Sequence, residues 1–218
     1  MKKLIVIEGL DGSGKATQAR LLTEYLKKEV AARMVSFPDY TSLSSSLVKM
    51  YLDGEFGSSP DDVNAYAASS FYAVDRYASF KKDWQDDYEN GVIIADRYTT
   101  SNAIHQCSKL PEKEWDTYLN WLFDYEYRLL GIPEPDMVIY LQVNPAVSQK
   151  LLAKRYEGHM EREDIHEKDR EYLSRCQKAA AYCARRLDWE VIACCSGCEM
   201  RPSESIQGEI QNIIYKLL

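Results

Sequence analysis

The chain begins with an apolar run that changes into a glycine-rich segment and then into a helical pattern. Residues 4–7 are typical of a short buried strand, and residues 9–15 follow almost directly. Over residues 16–28 the apolar positions recur at helical spacing, with Ala19 and Leu22 on one face. The pattern therefore predicts a strand, a loop and a helix in succession.

Further apolar runs alternate with helical patterns along the rest of the chain. Residues 32–37 are a weaker strand candidate, whereas 91–96, 136–143 and 189–194 are clear ones, and Pro145 is typical of a helix start. This alternation predicts an α/β fold in three layers, a parallel sheet with helices on both faces. Functional residues are then expected at the carboxyl ends of the strands.

The glycine-rich segment carries the clearest chemistry. Residues 9–15 have the spacing G-x-x-x-x-G-K, and the strand–loop–helix context is that of a phosphate-binding loop. The backbone N–H groups and the helix start would hold a nucleotide's phosphates, and Lys15 would add its charge to the β- and γ-phosphates. The residue after the lysine is usually Ser or Thr, whose hydroxyl binds Mg²⁺, but here it is Ala16. Thr17 follows, but on a helix its side chain points about 100° away from that of residue 16. Either other groups hold Mg²⁺, or the chain is a degenerate nucleotide binder.

Two further places carry charged residues suited to phosphate chemistry. Asp96 and Arg97 come where a predicted strand ends; a carboxylate there can bind Mg²⁺, and a guanidinium can bind phosphate. A strand-end salt bridge is the alternative. Residues 151–187 mix arginines with acids and are typical of an exposed helix, broken near Gly158. Arg155 and Arg162 flank that glycine, which would suit either a closing lid that brings positive charge or a solvated helix.

Length, charge and cysteines limit the classes of protein. The 218 residues suit one α/β domain, so we predict a single domain over residues 1–218. A net charge of −7 argues against a general nucleic-acid binder, and no run approaches the roughly 18 apolar residues of a membrane helix. Cys195 and Cys198 form a C-x-x-C, but Cys176 and Cys183 lack the spacing of a second zinc-ligand pair. We expect free thiols and a cytoplasmic location.

Six segments in a fixed order resemble the thymidylate kinase family, P-loop nucleoside monophosphate kinases that make dTDP from dTMP and ATP. The resemblance covers nearly the full length of the chain. The segments are EGLDGSGKATQ at 8–18, FPDY at 37–40, FYAVDR at 71–76, ADRYTTSNAIHQ at 95–106, PDMVIYLQV at 135–143 and REDIHEKD at 162–169. The resemblance implies a P-loop NTPase fold, ATP as donor, Mg²⁺ as cofactor, dTMP as acceptor and a homodimer. Given the charge and the apolar runs described above, we expect neither nucleic acid nor a membrane as a partner.

The resemblance also implies a set of site residues. Those implied for ATP are Gly9, Asp11, Gly12, Ser13, Gly14, Lys15, Ala16, Thr17, Arg155 and Arg201. Those implied for dTMP are Asp11, Phe37, Tyr72, Arg76, Arg97, Ser101, Asn102 and Gln106. Those implied for catalysis are Asp11, Lys15, Arg97 and Arg162, and those for Mg²⁺ are Asp11 and Asp96.

Individual roles follow from the same resemblance. Tyr72 would stack on thymine beside Arg76, and Arg97 would bridge the acceptor phosphate and the transferred group. The loop holds no arginine, so a lid at about residues 154–168 must supply the catalytic cation, and Arg162 is favoured over Arg155. Arg201 is the implied stacking partner of the adenine.

Three positions depart from the family's pattern. Ala16 removes the Mg²⁺ hydroxyl, Asp39 stands near where many members carry an arginine for the acceptor phosphate, and His105 replaces a tyrosine that helps exclude a ribose hydroxyl. A kinase for another deoxynucleotide or a deoxynucleoside therefore remains an alternative. So does a nucleotide-binding regulator without catalysis.

Overall fold

A parallel sheet of five strands forms the centre of the protein, in the order β2-β3-β1-β4-β5. This computed structural model describes residues 2–155, 166 and 169–217. The strands are β1 (Lys3–Glu8), β2 (Ala32–Ser36), β3 (Val92–Asp96), β4 (Met137–Gln142) and β5 (Glu190–Ala193). Ile7 is in register with Asp96 on one side and with Ile139 on the other, so the strands end along one edge. The predicted α/β fold is confirmed.

Helices connect the strands and cover both faces of the sheet. The α-helices of the described ranges are α1 (Lys15–Leu26), α2 (Ser46–Leu52), α3 (Ala65–Ser79), α4 (Gln85–Asn90), α5 (Thr99–Cys107), α6 (Trp115–Phe123), α7 (Pro145–Arg155), α8 (Arg170–Arg186) and α9 (Ser203–Ile214). Short 3₁₀ turns lie at Leu43–Ser45, Pro60–Asp62 and Glu112–Glu114, and π-helical segments at Phe80–Trp84 and Asp124–Leu129. A two-stranded hairpin, β6 (Cys195–Ser196) and β7 (Glu199–Met200), follows β5.

Alternation along β1 divides the hydrophobic core between the two faces of the sheet. Ile5 and Ile7 pack with residues of α1 and α9, whereas Leu4 and Val6 pack with the π-helical segment that follows α3. Because each face of the buried strand needs an apolar cover, the helices form the two outer layers of a three-layer structure.

Helix α8 corrects one expectation from the sequence. Its mixed charges suggested an exposed helix, yet Tyr172, Cys176 and Cys183 are fully buried and pack in one cluster with residues of α5 and α6. The spacing of these residues places them on one face, so the charges cover only the outer face of the helix.

The six cysteines are free thiols, four of them buried. Cys195 and Cys198 lie in the hairpin that follows β5, where Cys195 is opposite Met200. Over the described ranges, no helix is both long and apolar enough to cross a membrane.

Glycines shape the turn between β1 and α1. A Cβ added to Gly9 would lie 2.6 Å from the Ser13 hydroxyl and 2.9 Å from the backbone carbonyl of Leu141, which cannot move out of β4. Gly14 precedes α1 with φ of 85°, a left-handed conformation that side chains disfavour. The loop therefore depends on glycine for two different reasons, close approach and backbone conformation.

Substituting Gly9 tests the close approach of this loop to β4. Gly9→Ala should lower the free energy of unfolding by about 2–4 kcal/mol, because the new methyl group meets backbone as well as a side chain. Gly208→Ala is the matched control: Gly208 lies inside α9 with open space around its Cα, so this change should stabilise by about 0.5–1 kcal/mol. Urea unfolding of both variants measures the effect, and a Gly9→Ala protein as stable as the parent would contradict the steric argument.

Candidate active site

The carboxyl edge of the sheet borders a cavity of about 980 Å³. The phosphate loop, the ends of β2 and β3, and helices α2, α3 and α5 enclose it. The predicted site residues that line it are Asp11, Gly12, Gly14, Lys15, Ala16, Thr17, Phe37, Tyr72, Arg76, Asp96, Arg97, Ser101, Asn102 and Gln106. Residues predicted from four separate segments thus meet around one space.

Lys15 lies at the start of α1 with its ammonium group turned into the loop. Its Nζ donates to the carbonyl of Leu10 at 3.0 Å and lies 3.8 Å from an Asp11 carboxylate oxygen. Burial, together with the positive charge of Arg97, lowers the pKa of Lys15 to about 8. The lysine is therefore cationic at neutral pH, and an anion in the cavity would favour that charged form.

Arg97 is held between two carboxylates directly after β3. It donates to Asp11 in the phosphate loop, and its Nη1 lies 3.8 Å from Glu8 and 3.3 Å from the Ser101 hydroxyl. Burial alone would lower the pKa of Arg97, but the charges of Asp11 and Glu8 outweigh it and raise that pKa. Its φ of 65° is uncommon for a residue with a side chain, and such strain is concentrated at functional sites.

The Asp11 carboxyl is kept ionised by its neighbours. Burial would raise its pKa, yet the charges of Arg97 and Lys15 hold that pKa well below its ordinary value. The loop is also tied to the start of α7, because the Ser148 hydroxyl donates to the Asp11 carbonyl at 2.6 Å. Asp11 thus fixes two cations of the cavity relative to each other.

Glu8 is a site residue that the sequence reasoning missed. Its side chain is fully buried and accepts hydrogen bonds from the Gly9 amide at 2.9 Å and from the hydroxyls of Thr100 and Ser101 at 2.8 Å each. It therefore joins the phosphate loop to the start of α5. An acid at the end of an apolar strand, next to the glycine motif, was the available signal.

Asp96 is the best candidate for a metal-binding oxygen. It is nearly buried, and its Oδ1 has no hydrogen-bond partner among the described residues. Burial raises the pKa of the Asp96 carboxyl, while the Lys15 charge opposes this. An unpartnered buried oxygen beside the phosphate loop suits a hard cation or the water bound to one. Ala16 offers no side-chain oxygen, so the residues present fit Mg²⁺ with fewer protein ligands than the motif usually supplies.

The side of the cavity away from the loop is built around a buried ion pair. Arg76 is bidentate to Glu126, with Nε and Nη2 at 2.7 and 2.6 Å from the two carboxylate oxygens. The same carboxylate accepts from the Thr99 hydroxyl at 2.8 Å and the Asn102 amide at 3.3 Å. Burial would lower the pKa of Arg76, but the Glu126 charge leaves it raised. Sequence reasoning missed Glu126, since it lies among other acids in an irregular helical segment.

Gln106 has unused hydrogen-bonding capacity. It is fully buried, lines the cavity, and neither its Nε2 nor its Oε1 has a hydrogen-bond partner in the described part of the chain. The Tyr72 ring, one turn before Arg76 on α3, also lines the cavity. A flat face beside an amide with a free donor and acceptor suits recognition of a heterocyclic base.

The Asp39 carboxylate does not line the cavity. It accepts from the amide and hydroxyl of Thr41 at 3.1 and 2.7 Å, within its own loop. That loop is held by Asp75, a buried residue that accepts from the Asp39 amide at 3.0 Å and the Ser44 hydroxyl at 2.5 Å. The Asp39 carboxylate is thus engaged within its own loop rather than in the cavity lining.

His105 lines the cavity as a neutral ring. Burial and the Arg97 charge lower its pKa to about 3. The Nη1 of Arg97 lies 3.4 Å from His105 Nε2, and a guanidinium can only donate, so Nε2 must be the acceptor. The ring proton is therefore on Nδ1, which lies 3.2 Å from the Tyr172 hydroxyl. His105 therefore supports Arg97 rather than adding a second positive charge.

The remaining predicted residues do not line the cavity or lie outside the described residues. Gly9 and Ser13 shape the loop from behind. The Arg201 side chain contacts Ala193, Ser205 and Glu209. Its neighbour Met200 lines the cavity, whereas Arg201 does not, so a contact between Arg201 and adenine stays a prediction. Arg162, most of the lid at 154–168 and the Arg155 side chain lie outside the described residues.

The lowered pKa of Lys15 makes nucleotide binding depend on pH. Above pH 8 a growing fraction of Lys15 is neutral, so binding of phosphate groups must transfer a proton onto it, and the Kd for ATP should rise by up to about tenfold per pH unit. Calorimetry in two buffers of different ionisation enthalpy should detect this proton uptake at pH 9, and much less of it at pH 7. Lys15→Arg cannot titrate in this range, so equal uptake by both proteins would refute the assignment.

Comparisons with known proteins agree with this geometry. A family model described as thymidylate kinase matches residues 7–194. The thymidylate kinase of Mycobacterium tuberculosis is 32% identical over 181 residues, which are 79% of this chain and 81% of that protein. The Caenorhabditis elegans thymidylate kinase is 31% identical over 157 residues, covering 66% of this chain and 65% of that protein. The solved thymidylate kinase of Candida albicans has the same fold, with a TM-score of 0.71 at 18% identity over 99% of this chain and 92% of its own. The chain therefore belongs to the thymidylate kinase family.

Proposed function

We propose that this enzyme transfers the γ-phosphoryl group of ATP to dTMP, giving dTDP and ADP. One observation carries the proposal: a single cavity is lined by the phosphate loop, by Arg97, and by Tyr72, Arg76 and Gln106. Donor and acceptor could therefore occupy one shared space. The family relationship supports the choice of ATP and dTMP.

The transfer needs positioning and charge rather than a covalent intermediate. As the bond from the γ-phosphorus to its bridging oxygen breaks, a bond forms to an oxygen of the dTMP phosphate. Lys15 and the loop would hold the donor, and Arg97, which lines the same cavity, would neutralise the negative charge that moves between the two phosphates. Tyr72 would stack on thymine, while Gln106 and Asn102 would bind its edge.

Mg²⁺ belongs to the proposal as the cofactor held with ATP. Asp96, with its unpartnered buried oxygen, and Asp11 are the residues that would hold it or its water. When bound, it would neutralise charge on the β- and γ-phosphates. Arg162 remains the proposed lid cation and Arg155 its alternative.

Location and assembly are further parts of the proposal. Free thiols at all six cysteines suit the reducing cytoplasm. On α3, the side chains of Tyr66, Val74 and Tyr77 are each about 40% exposed and share one face with Ser70. An apolar helix face of this kind suits a homodimer contact.

A substrate panel tests the proposed function directly. ADP formation from ATP and Mg²⁺ should be rapid with dTMP, weak with dUMP, and low with dCMP, dGMP, UMP and thymidine. Lys15→Ala should lower turnover with dTMP by orders of magnitude without unfolding the protein. Turnover that favours another acceptor would indicate a different kinase, and ATP binding without any turnover would favour the regulator.

The role of Asp96 is tested by the Mg²⁺ requirement. Asp96→Asn keeps the shape of the side chain but removes its charge, so the Mg²⁺ concentration for half-maximal rate should rise by about tenfold or more. Asp39→Asn is the matched control, because the Asp39 carboxylate is hydrogen-bonded within its own loop. The Mg²⁺ requirement of this variant should equal that of the parent protein. The same requirement in all three proteins would contradict the role of Asp96.

A further inference from the structure

Lys49 is a cation of the cavity that neither the sequence motifs nor the proposed mechanism uses. It lies on α2, is half-buried, and lines the cavity together with Leu52 of the same helix and Asp53, the residue that follows it. The cavity therefore contains an ammonium group to which no role has yet been assigned.

The other three cations of the cavity lining are already paired with acids. Lys15 lies close to Asp11, and the other two are arginines with short carboxylate contacts described above. Within the described ranges, Lys49 has no carboxylate within 4 Å of its ammonium group and no side-chain hydrogen bond. Asp53, which follows the end of α2, is also not within that distance. Lys49 is therefore the one cation of the cavity lining whose charge is not shared with a carboxylate of the described residues.

The position of α2 assigns that charge to the acceptor side of the cavity. Val48, Tyr51 and Leu52 of α2 pack with residues of α3, the helix that carries Tyr72 and Arg76. The donor phosphates, by contrast, belong to the loop before α1, which has its own lysine. The phosphate group of an acceptor nucleotide would add a charge of about −2 to the cavity. Arg97 is already paired with carboxylates, so it compensates that charge only in part.

We infer that Lys49 binds the phosphate group of the nucleoside monophosphate acceptor. This inference rests on the proposed function and adds a residue to it. Lys49 supplies the uncommitted positive charge on the acceptor side, where Asp39 supplies none. It thereby distinguishes a nucleotide from a nucleoside, because a nucleoside offers no anion to the ammonium group.

A comparison of dTMP with thymidine isolates the phosphate. Lys49→Met keeps the aliphatic stem and removes the charge, so the Kd for dTMP should rise by about tenfold, the size of one charge-assisted hydrogen bond. The Kd for thymidine and the KM for ATP should stay within about twofold of the parent. Lys49→Arg should restore most of the affinity for dTMP. Lys28→Met, an exposed lysine after α1, is the control for loss of a charge elsewhere.

Each outcome of this experiment decides the inference. Equal weakening of dTMP and thymidine would mean that Lys49 acts on the base or on the fold, and a rise in the KM for ATP would assign it to the donor. An unchanged Kd for dTMP would equally overturn the inference. A parent protein that binds dTMP without phosphorylating it would overturn the proposed function alone, since the binding comparison still reports on Lys49.

Discussion

The Arg97 guanidinium, held between the carboxylates of Glu8 and Asp11, is the interaction on which the rest of the site depends. It joins the end of β3 to the end of β1 and to the phosphate loop, which hydrogen-bonded strands alone would not fix. The backbone of Arg97 is left-handed, and these partly buried ion pairs stabilise a conformation that would otherwise be costly. The same contacts hold a cation where phosphate groups would meet.

The charges of Asp11, Lys15 and Arg97 compensate one another before any substrate enters. Asp11 is ionised because it contacts both Arg97 and Lys15, and His105 is neutral because burial and the positive charge of Arg97 lower its pKa. Groups paired in this way need little rearrangement when phosphates arrive, which is how preorganised sites stabilise developing charge. Lys49 is different, because its charge is not shared with a carboxylate of the described residues. The acceptor side thus has a cation available for an incoming anion.

Positioning residues connect the cavity to the surrounding helices. Glu126 orients Arg76 and Asn102 through one buried carboxylate, and removing it would leave a buried guanidinium without its partner. Asp75 plays a similar part for the loop after β2, where it binds the backbone of Asp39 and the hydroxyl of Ser44. Neither carboxylate need touch a substrate, yet each fixes a wall of the cavity.

Local pattern was enough to predict much of the fold. The strands ended within a residue or two of their predicted positions, because runs of apolar residues bounded by polar ones are buried wherever they form. The phosphate loop could also be predicted, since its glycine spacing and the helix after it are local properties of residues 9–28. Helix α8 was the exception, because its charges concealed a buried face.

Much of the candidate site could be recognised from ordered motifs, but the partners of its charges could not. Glu8 is next to the loop in sequence, whereas Glu126 is 50 residues from Arg76, and only packing of α3 and α5 against the following helices brings them together. The sequence likewise did not determine that the Asp39 carboxylate is hydrogen-bonded within its own loop, or that Lys49 has no carboxylate partner among the described residues. The sequence by itself determined which elements form and which residue types reach the sheet edge, because propensity and burial are local. Only the tertiary structure decided which charges are paired, since Coulomb interactions depend on distances that no sequence spacing specifies.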